Sequence, residues 1–231
     1  MDILYTLRNC NVCEELAYSL RTLCNLPHEY IFFVGGFPNN IKRSDIVYIP
    51  TAQTSTKWKN STQNLKIACL DERLSDDFIF MNDDFFILKP IESLSFNYGP
   101  VKEVYERYQR IYSSETNYMR GMRETADFLK KLGISDPLSF ELHLPMIMNK
   151  SKVLEMFKLP GVSSISVLHK RTLYGNLYIK DSHYHQDVKV SLRTPFDFSM
   201  CDDFLSSSDI SWAIVKPHLQ RLFPQKCLYE F

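Results

Sequence analysis

The tripeptide Asn82-Asp83-Asp84 follows the apolar run Phe78-Ile79-Phe80-Met81 and precedes Phe85-Phe86. Adjacent carboxylates in such surroundings are costly, because desolvated like charges repel and one of them is driven toward protonation. A divalent cation removes that cost. Oxygen-only ligands suit Mg²⁺ or Mn²⁺, which keep several waters and share a substrate's phosphates, so Asp83 and Asp84 are candidate metal ligands beside Asn82. The same tripeptide is also turn chemistry. His143 lies in the apolar stretch Phe140 to Ile147, where an imidazole needs a reason. Imidazole titrates at about 6.5, so it can take a proton from a hydroxyl near neutrality. Glu141 is placed to orient His143 or to replace it as the base, and Asp84 is a further candidate for that proton. The plain alternative is a core histidine with its hydrogen bonds satisfied.

Several cations have spacings that suit phosphate. Arg120 and Arg123 fall on one helical face, where they form either a fork for a pyrophosphate or a solvated surface with Glu124 and Asp127. Lys57 and Lys59 flank Trp58 at the start of a helix, and with Asn60 they can meet a phosphate or a sugar there. From Leu168 to Arg193 the chain turns basic through Lys170, Arg171, Lys180, Lys189 and Arg193, interleaved with tyrosines and histidines. That mixture suits a polyanionic acceptor such as DNA, or else an exposed, loosely packed lobe. His183 and His185 lack a third ligand at helical spacing. Cys10-Asn11-Val12-Cys13 has no second such pair to complete a zinc site and lacks the surroundings of a redox motif, so it is read as incidental. No glycine-rich phosphate loop follows any strand, so nucleoside triphosphatase and dinucleotide dehydrogenase readings lack their cradle.

These groups need a scaffold. Asp2 to Leu7, Tyr30 to Val34, Ile46 to Ile49 and Phe78 to Met81 read as buried strands, with amphipathic helices expected over 14–25 and 54–73. The resulting order describes an α/β, Rossmann-like, parallel-rich sheet flanked by helices, whose ligands bind beyond the carboxyl ends of the strands. Thr6-Leu7-Arg8-Asn9 and Asn82-Asp83-Asp84 lie at two such ends. After Pro90 the chain reads as mostly helical, over 101–112, 115–132, 150–157 and 206–223, with 162–198 mixed. We expect one domain over 1–231, with residues 1–90 on the nucleotide side and 91–231 on the acceptor side. With 231 residues, 27 basic against 27 acidic side chains and 45% hydrophobic residues, a packed core is expected and disorder is excluded. Zero net charge removes a polybasic, histone-like class. No membrane-spanning run or secretory signal is evident, and the six sparse cysteines suit reduced thiols, so a cytoplasmic protein is expected.

Six blocks carry a family resemblance: Asp2-Ile-Leu-Tyr-Thr6, Glu15 to Leu23, Lys57-Trp-Lys-Asn60, Asp77 to Phe86, Glu141 to Ile147 and Leu222 to Glu230. Their order and rough spacing resemble the Stealth group of capsular-polysaccharide and lysosomal-enzyme phosphotransferase-like proteins. The match is closest to short phage or prophage members described as glycosyltransferases. The resemblance implies a nucleotide-sugar donor; on a GT-A-like fold, and with the spacings above, that donor is expected to be UDP-linked and to lie across Tyr5, Thr6, Arg8, Lys59, Asn60, Asn82, Asp83, Arg120 and Arg123. It implies a catalytic or phosphate-contacting role for His143, whose position matches the family's His-x-Pro block. Family phosphotransferases carry Tyr-Thr-Trp where this chain has Tyr5-Thr6-Leu7-Arg8, so glycosyl transfer to an acceptor hydroxyl is the leading expectation. Sugar-1-phosphate transfer is its close variant, and a non-catalytic nucleotide-sugar or glycan-binding module is the rival. For the acceptor, a modified base in phage DNA, met by Lys170, Arg171 and Lys180 in the host-cell cytoplasm, stands beside a surface glycan.

Overall fold

A computed structural model of the chain describes residues 1–191, 196–200 and 203–231; Arg193 and Cys201 lie outside them. In chain order the elements are β1 (Asp2–Leu7), α1 (Glu14–Thr22), β2 (Ile31–Gly35), β3 (Ile46–Pro50), α2 (Lys57–Ala68), β4 (Asp77–Met81), β5 (Phe85–Ile87) and β6 (Phe96–Asn97). They continue with α3 (Val101–Ile111), α4 (Asn117–Lys131), β7 (Met146–Asn149), α5 (Lys150–Lys158), α6 (Lys170–Tyr178), β8 (His183–Tyr184), β9 (Phe204–Ser206) and α7 (Trp212–Leu222).

The central sheet has the order β3-β2-β1-β4-β7, parallel except for β7. It is a mostly parallel sheet flanked by helices, as expected. Its inner strands are continuous apolar runs because helices cover both faces. Ile3, Tyr5, Leu7, Ile31, Phe33 and Ile79 pack toward α1. Leu4, Phe32, Val34, Phe78 and Phe80 pack on the opposite face against α2, α5 and α6. Phe32, Phe33, Phe78 and Phe80 are at most 1% exposed. Each such side chain is worth about 1.5–3 kcal/mol of burial.

Register positions the functional residues. Tyr5 pairs with Met81, so the residues that leave β1 and β4 emerge side by side. Because β7 runs antiparallel to β4, with Phe80 opposite Met146, the segment entering β7 arrives where β4 ends. That brings His143 to the aspartates. A ribbon of β5 and β9 pairs Phe85 with Ser206, and a bridge joins Lys189 to Ser206, so the late chain returns to the same corner. Beneath this corner β2 approaches β1 closely: a Cβ on Gly35, whose φ is 108°, would lie 2.2 Å from the Leu7 carbonyl oxygen.

Several boundaries differ from the sequence reading. The helix expected over 54–73 spans Lys57–Ala68, where Thr56 accepts a bond from the Lys59 N–H as its cap. The helix expected from 206 starts at Trp212, because Phe204–Ser206 pair with β5 and Ser208 and Ser211 close a turn. The mixed segment contains α6, and the mostly helical half supplies β7 to the central sheet. No helix among the described residues is long and apolar enough to cross a membrane.

Candidate active site

A cavity of about 990 Å³ opens at the carboxyl ends of β1 and β4. Thr6 and Arg8 from β1's exit line it with Asn82, Asp83 and Asp84 from β4's exit. Its acidic corner also includes Glu15 of α1. Burial, with Asp84 and Glu15 close by, pushes the Asp83 carboxyl up to about 7, and Arg8 opposes this only partly. Cys13 Sγ donates to Asp83 Oδ2 at 3.6 Å. Burial likewise raises Glu15, although it accepts a hydrogen bond from Ser207 Oγ. Lys189 Nζ lies 3.4 Å from Asp84 Oδ2, and Asp84 Oδ1 is buried without a hydrogen-bond partner.

The opposite walls are cationic. Arg8 forms a forked pair with Asp209, with its closer contact at 2.7 Å. Arg171 is 4% exposed and is fixed from three sides. Its guanidinium donates to the Leu144 carbonyl at 2.6 Å and the Phe80 carbonyl at 3.4 Å, and lies 4.8 and 5.1 Å from the Phe80 and Phe85 ring centres. Lys170 stands next to it, pushed down to about 8 by burial, although Glu141 draws it back up. Glu141 accepts the Arg171 and Thr172 backbone N–H groups, which caps the start of α6.

His143 is held by an aspartate 44 residues further along the chain. Asp187 places both oxygens 2.9 Å from His143 Nδ1 and also accepts the His143 backbone N–H at 3.2 Å. Burial would raise the Asp187 carboxyl, but His143 and Lys189 more than offset this and keep it below its ordinary value. The neighbouring wall carries Tyr108, Tyr112, Thr116, Asn117 and Tyr118, from α3, the turn after it and α4.

Thr6, Arg8, Asn60, Asn82, Asp83, Asp84, Glu141, His143, Lys170 and Arg171 are therefore gathered in one cavity. Five expected residues do not line it. Tyr5 is fully buried and bonds Ser19, because alternate residues of a strand face opposite ways and Thr6 takes the cavity side. Lys59 is turned away: the lining positions of α2 are Lys57, Trp58, Asn60, Ser61 and Asn64, a single helical face that omits it. Arg120 and Arg123 lie outside, each paired with Glu115 at 3.5 and 3.0 Å. Lys180 is exposed beyond the end of α6. Lys170 and Arg171 do not belong to an exposed lobe, since Arg171 is in the core and both face the aspartates' cavity. Glu141 does not orient His143, because it caps α6 and Asp187 holds the ring.

No family model matches the chain, and no curated protein matches it by sequence. Solved structures give a coarse likeness. One is the galactosyltransferase LgtC in complex with donor and acceptor sugar analogues, with a TM-score of 0.46, 13% identity, and coverage of 80% of this chain and 73% of that one. Another is the glycosyltransferase GlyE of Streptococcus pneumoniae TIGR4, with a TM-score of 0.38, 8% identity, and coverage of 95% and 49%. A third is mouse xyloside xylosyltransferase 1 in its apo form, with a TM-score of 0.36, 10% identity, and coverage of 100% and 96%.

The donor set near Asp83 fits a hard divalent cation. One carboxylate has an orphaned buried oxygen and the other is driven toward protonation by burial and by its acidic neighbours, and Lys189 and Arg8 offset this only in part. Among the described residues no group of three His, Cys, Asp or Glu side chains is arranged to hold an ion. That limits the protein's share to the pair, as is usual for Mg²⁺ or Mn²⁺ completed by waters and substrate phosphates.

Proposed function

We propose that the chain is a glycosyltransferase that moves a sugar from a nucleoside-diphosphate donor to an acceptor hydroxyl. One observation carries this reading: a crowded acidic pair, a set of cations and a held histidine face one cavity at the strand ends. The Asp83 and Asp84 carboxylates would hold Mg²⁺ or Mn²⁺, which when bound neutralises the leaving diphosphate. Lys170, Arg171 and Lys57 contribute fixed positive charge to the same walls, and fixed charge around a developing anion is the largest contribution in many enzymes. Arg8, paired with Asp209, brings a further cation to the Asp83 end.

His143 is the proton acceptor in this reading. With Nδ1 tied to Asp187, the ring presents Nε2 to a bound hydroxyl, and the Asp187 charge stabilises the imidazolium that forms. The acceptor oxygen bonds to the anomeric carbon as its proton passes to His143, and the bond from that carbon to the diphosphate oxygen breaks. The nucleoside diphosphate leaves with the electron pair. A held base of this kind favours catalysis over a passive binding module.

The experiment is incubation with a panel of UDP-sugars and Mn²⁺, scored by released nucleotide and by thermal shift. Release of UDP, lost in Asp83→Ala, supports glycosyl transfer. Release of UMP instead assigns sugar-1-phosphate transfer. Absence of both hydrolysis and any donor-induced rise in melting temperature refutes the reading, since a ligand that binds only the folded state must raise it.

A further inference from the structure

The tyrosine wall of the cavity has no part in the chemistry described so far. Tyr108 and Tyr112 stack nearly parallel, with ring centres 6.1 Å apart and planes at 7°, and Tyr118 meets Tyr108 at 5.6 Å. Tyr112 is 40% exposed. These rings line the same cavity as His143, and Tyr118 packs against the His169 ring, just before α6, with centres 4.4 Å apart. An acceptor resting on them would present a hydroxyl to the histidine.

The chemistry of the wall narrows what it can take. Besides the rings it offers Thr116 and Asn117, an uncharged hydroxyl and an uncharged amide. Among the described residues no cation of α3 or α4 lines the cavity, and Arg120 and Arg123 beside it are committed to Glu115. Nucleic acid needs cations along its backbone to replace its counterions, and this wall supplies none. A sugar ring needs something different. Its axial C–H groups form a weakly positive face that rests on the negative face of an aromatic ring, while its hydroxyls seek neutral donors and acceptors.

We propose that Tyr108, Tyr112 and Tyr118, with Thr116 and Asn117, form the acceptor subsite and that it takes a neutral sugar ring. This rests on the glycosyltransferase reading and gives that reading a substrate class.

Saturation-transfer NMR on the full chain with UDP and Mn²⁺ tests it, with the methyl glycosides of glucose, galactose and N-acetylglucosamine and their β-linked disaccharides as probes. The expected result is saturation of C–H protons on one face of at least one probe. Tyr112→Ala should weaken that signal at least tenfold and Tyr112→Phe should retain it, with circular-dichroism melts showing that both variants are folded. A wild-type protein that saturates none of the probes overturns the proposal, as does a Tyr112→Ala variant that binds undiminished. Salt-sensitive binding of duplex or single-stranded DNA that is lost in Tyr112→Ala also overturns it, in favour of a nucleic-acid acceptor. Donor-dependent UDP release and the donor thermal shift are measured on the same preparations. If they persist while the glycosides fail, only the acceptor assignment falls.

Discussion

Replacing Asp83 by Asn should make the metal-free protein more stable, and by an amount that depends on pH. The Asp83 carboxyl is raised from 3.8 to about 7 by burial beside Asp84 and Glu15. A carboxyl whose folded pKa is raised adds stability below its unfolded pKa, and this is lost as pH climbs through the folded value. A rise of about three units at 1.36 kcal/mol each gives about 4 kcal/mol lost by pH 8, with a smaller part of it already lost at pH 5. Asn cannot ionise and escapes this cost. Its advantage over the parent should therefore grow between pH 5 and pH 8, to about 4 kcal/mol at the upper end. Urea unfolding at pH 5, 6, 7 and 8 measures it, and for a chain of this size the melting temperature should move by about 2–4 °C per kcal/mol. Mn²⁺ should then narrow the gap by stabilising only the parent, by about 2.7 kcal/mol at a hundredfold excess over its dissociation constant. A gain that does not change with pH, or a variant less stable than the parent at pH 8, refutes the electrostatic account of this corner.

Two further outcomes are expected. His143→Ala should lower kcat for transfer by roughly 10²–10⁴-fold, whereas Asp187→Asn, which leaves the ring in place, should cost less; steady-state kinetics that show the two equal, or both near the parent, would remove the dyad from the mechanism. Outside the cavity lining, Arg21 and Glu230 pair at 2.7 Å with side chains 10% and 7% exposed. Glu230→Ala strands the arginine and should cost about 3 kcal/mol in urea unfolding, and a loss below about 1 kcal/mol would show that water or the Phe223 carbonyl satisfies it instead.

Continuous apolar runs made the strands legible. Ile31 to Val34 and Phe78 to Met81 are buried on both faces, as an inner strand covered by helices on each side requires. The Asn82-Asp83-Asp84 corner was legible for the same reason, since charge that follows such a run must sit at its end. Strand alternation was present in the sequence and would have sent Tyr5 to the core and Thr6 to the cavity. Helical periodicity would likewise have chosen Lys57 over Lys59. The remainder was not local. β7 has four residues between Pro145 and α5, too short for a pattern, and Gly175 within α6 weakens that helix's signal even though the Phe140 ring, 2.4 Å from the position of a Cβ there, requires it. Asp187 lies 44 residues from His143, and no spacing rule connects them.

The ion pair of Arg8 with Asp209 spans 201 residues, the Glu15–Ser207 hydrogen bond 192, and the Lys189–Asp84 contact 105. The last strand of the central sheet ends at Asn149. A growing chain can therefore close its sheet while the histidine's partner and the anchor of Arg8 are still unsynthesised. Contacts so far apart in sequence are entropically expensive to form, so they belong to the late, slow part of folding. The crowded aspartates are assembled before the lysine that answers them. During that interval the nascent protein has its central sheet but not the lysine that meets Asp84.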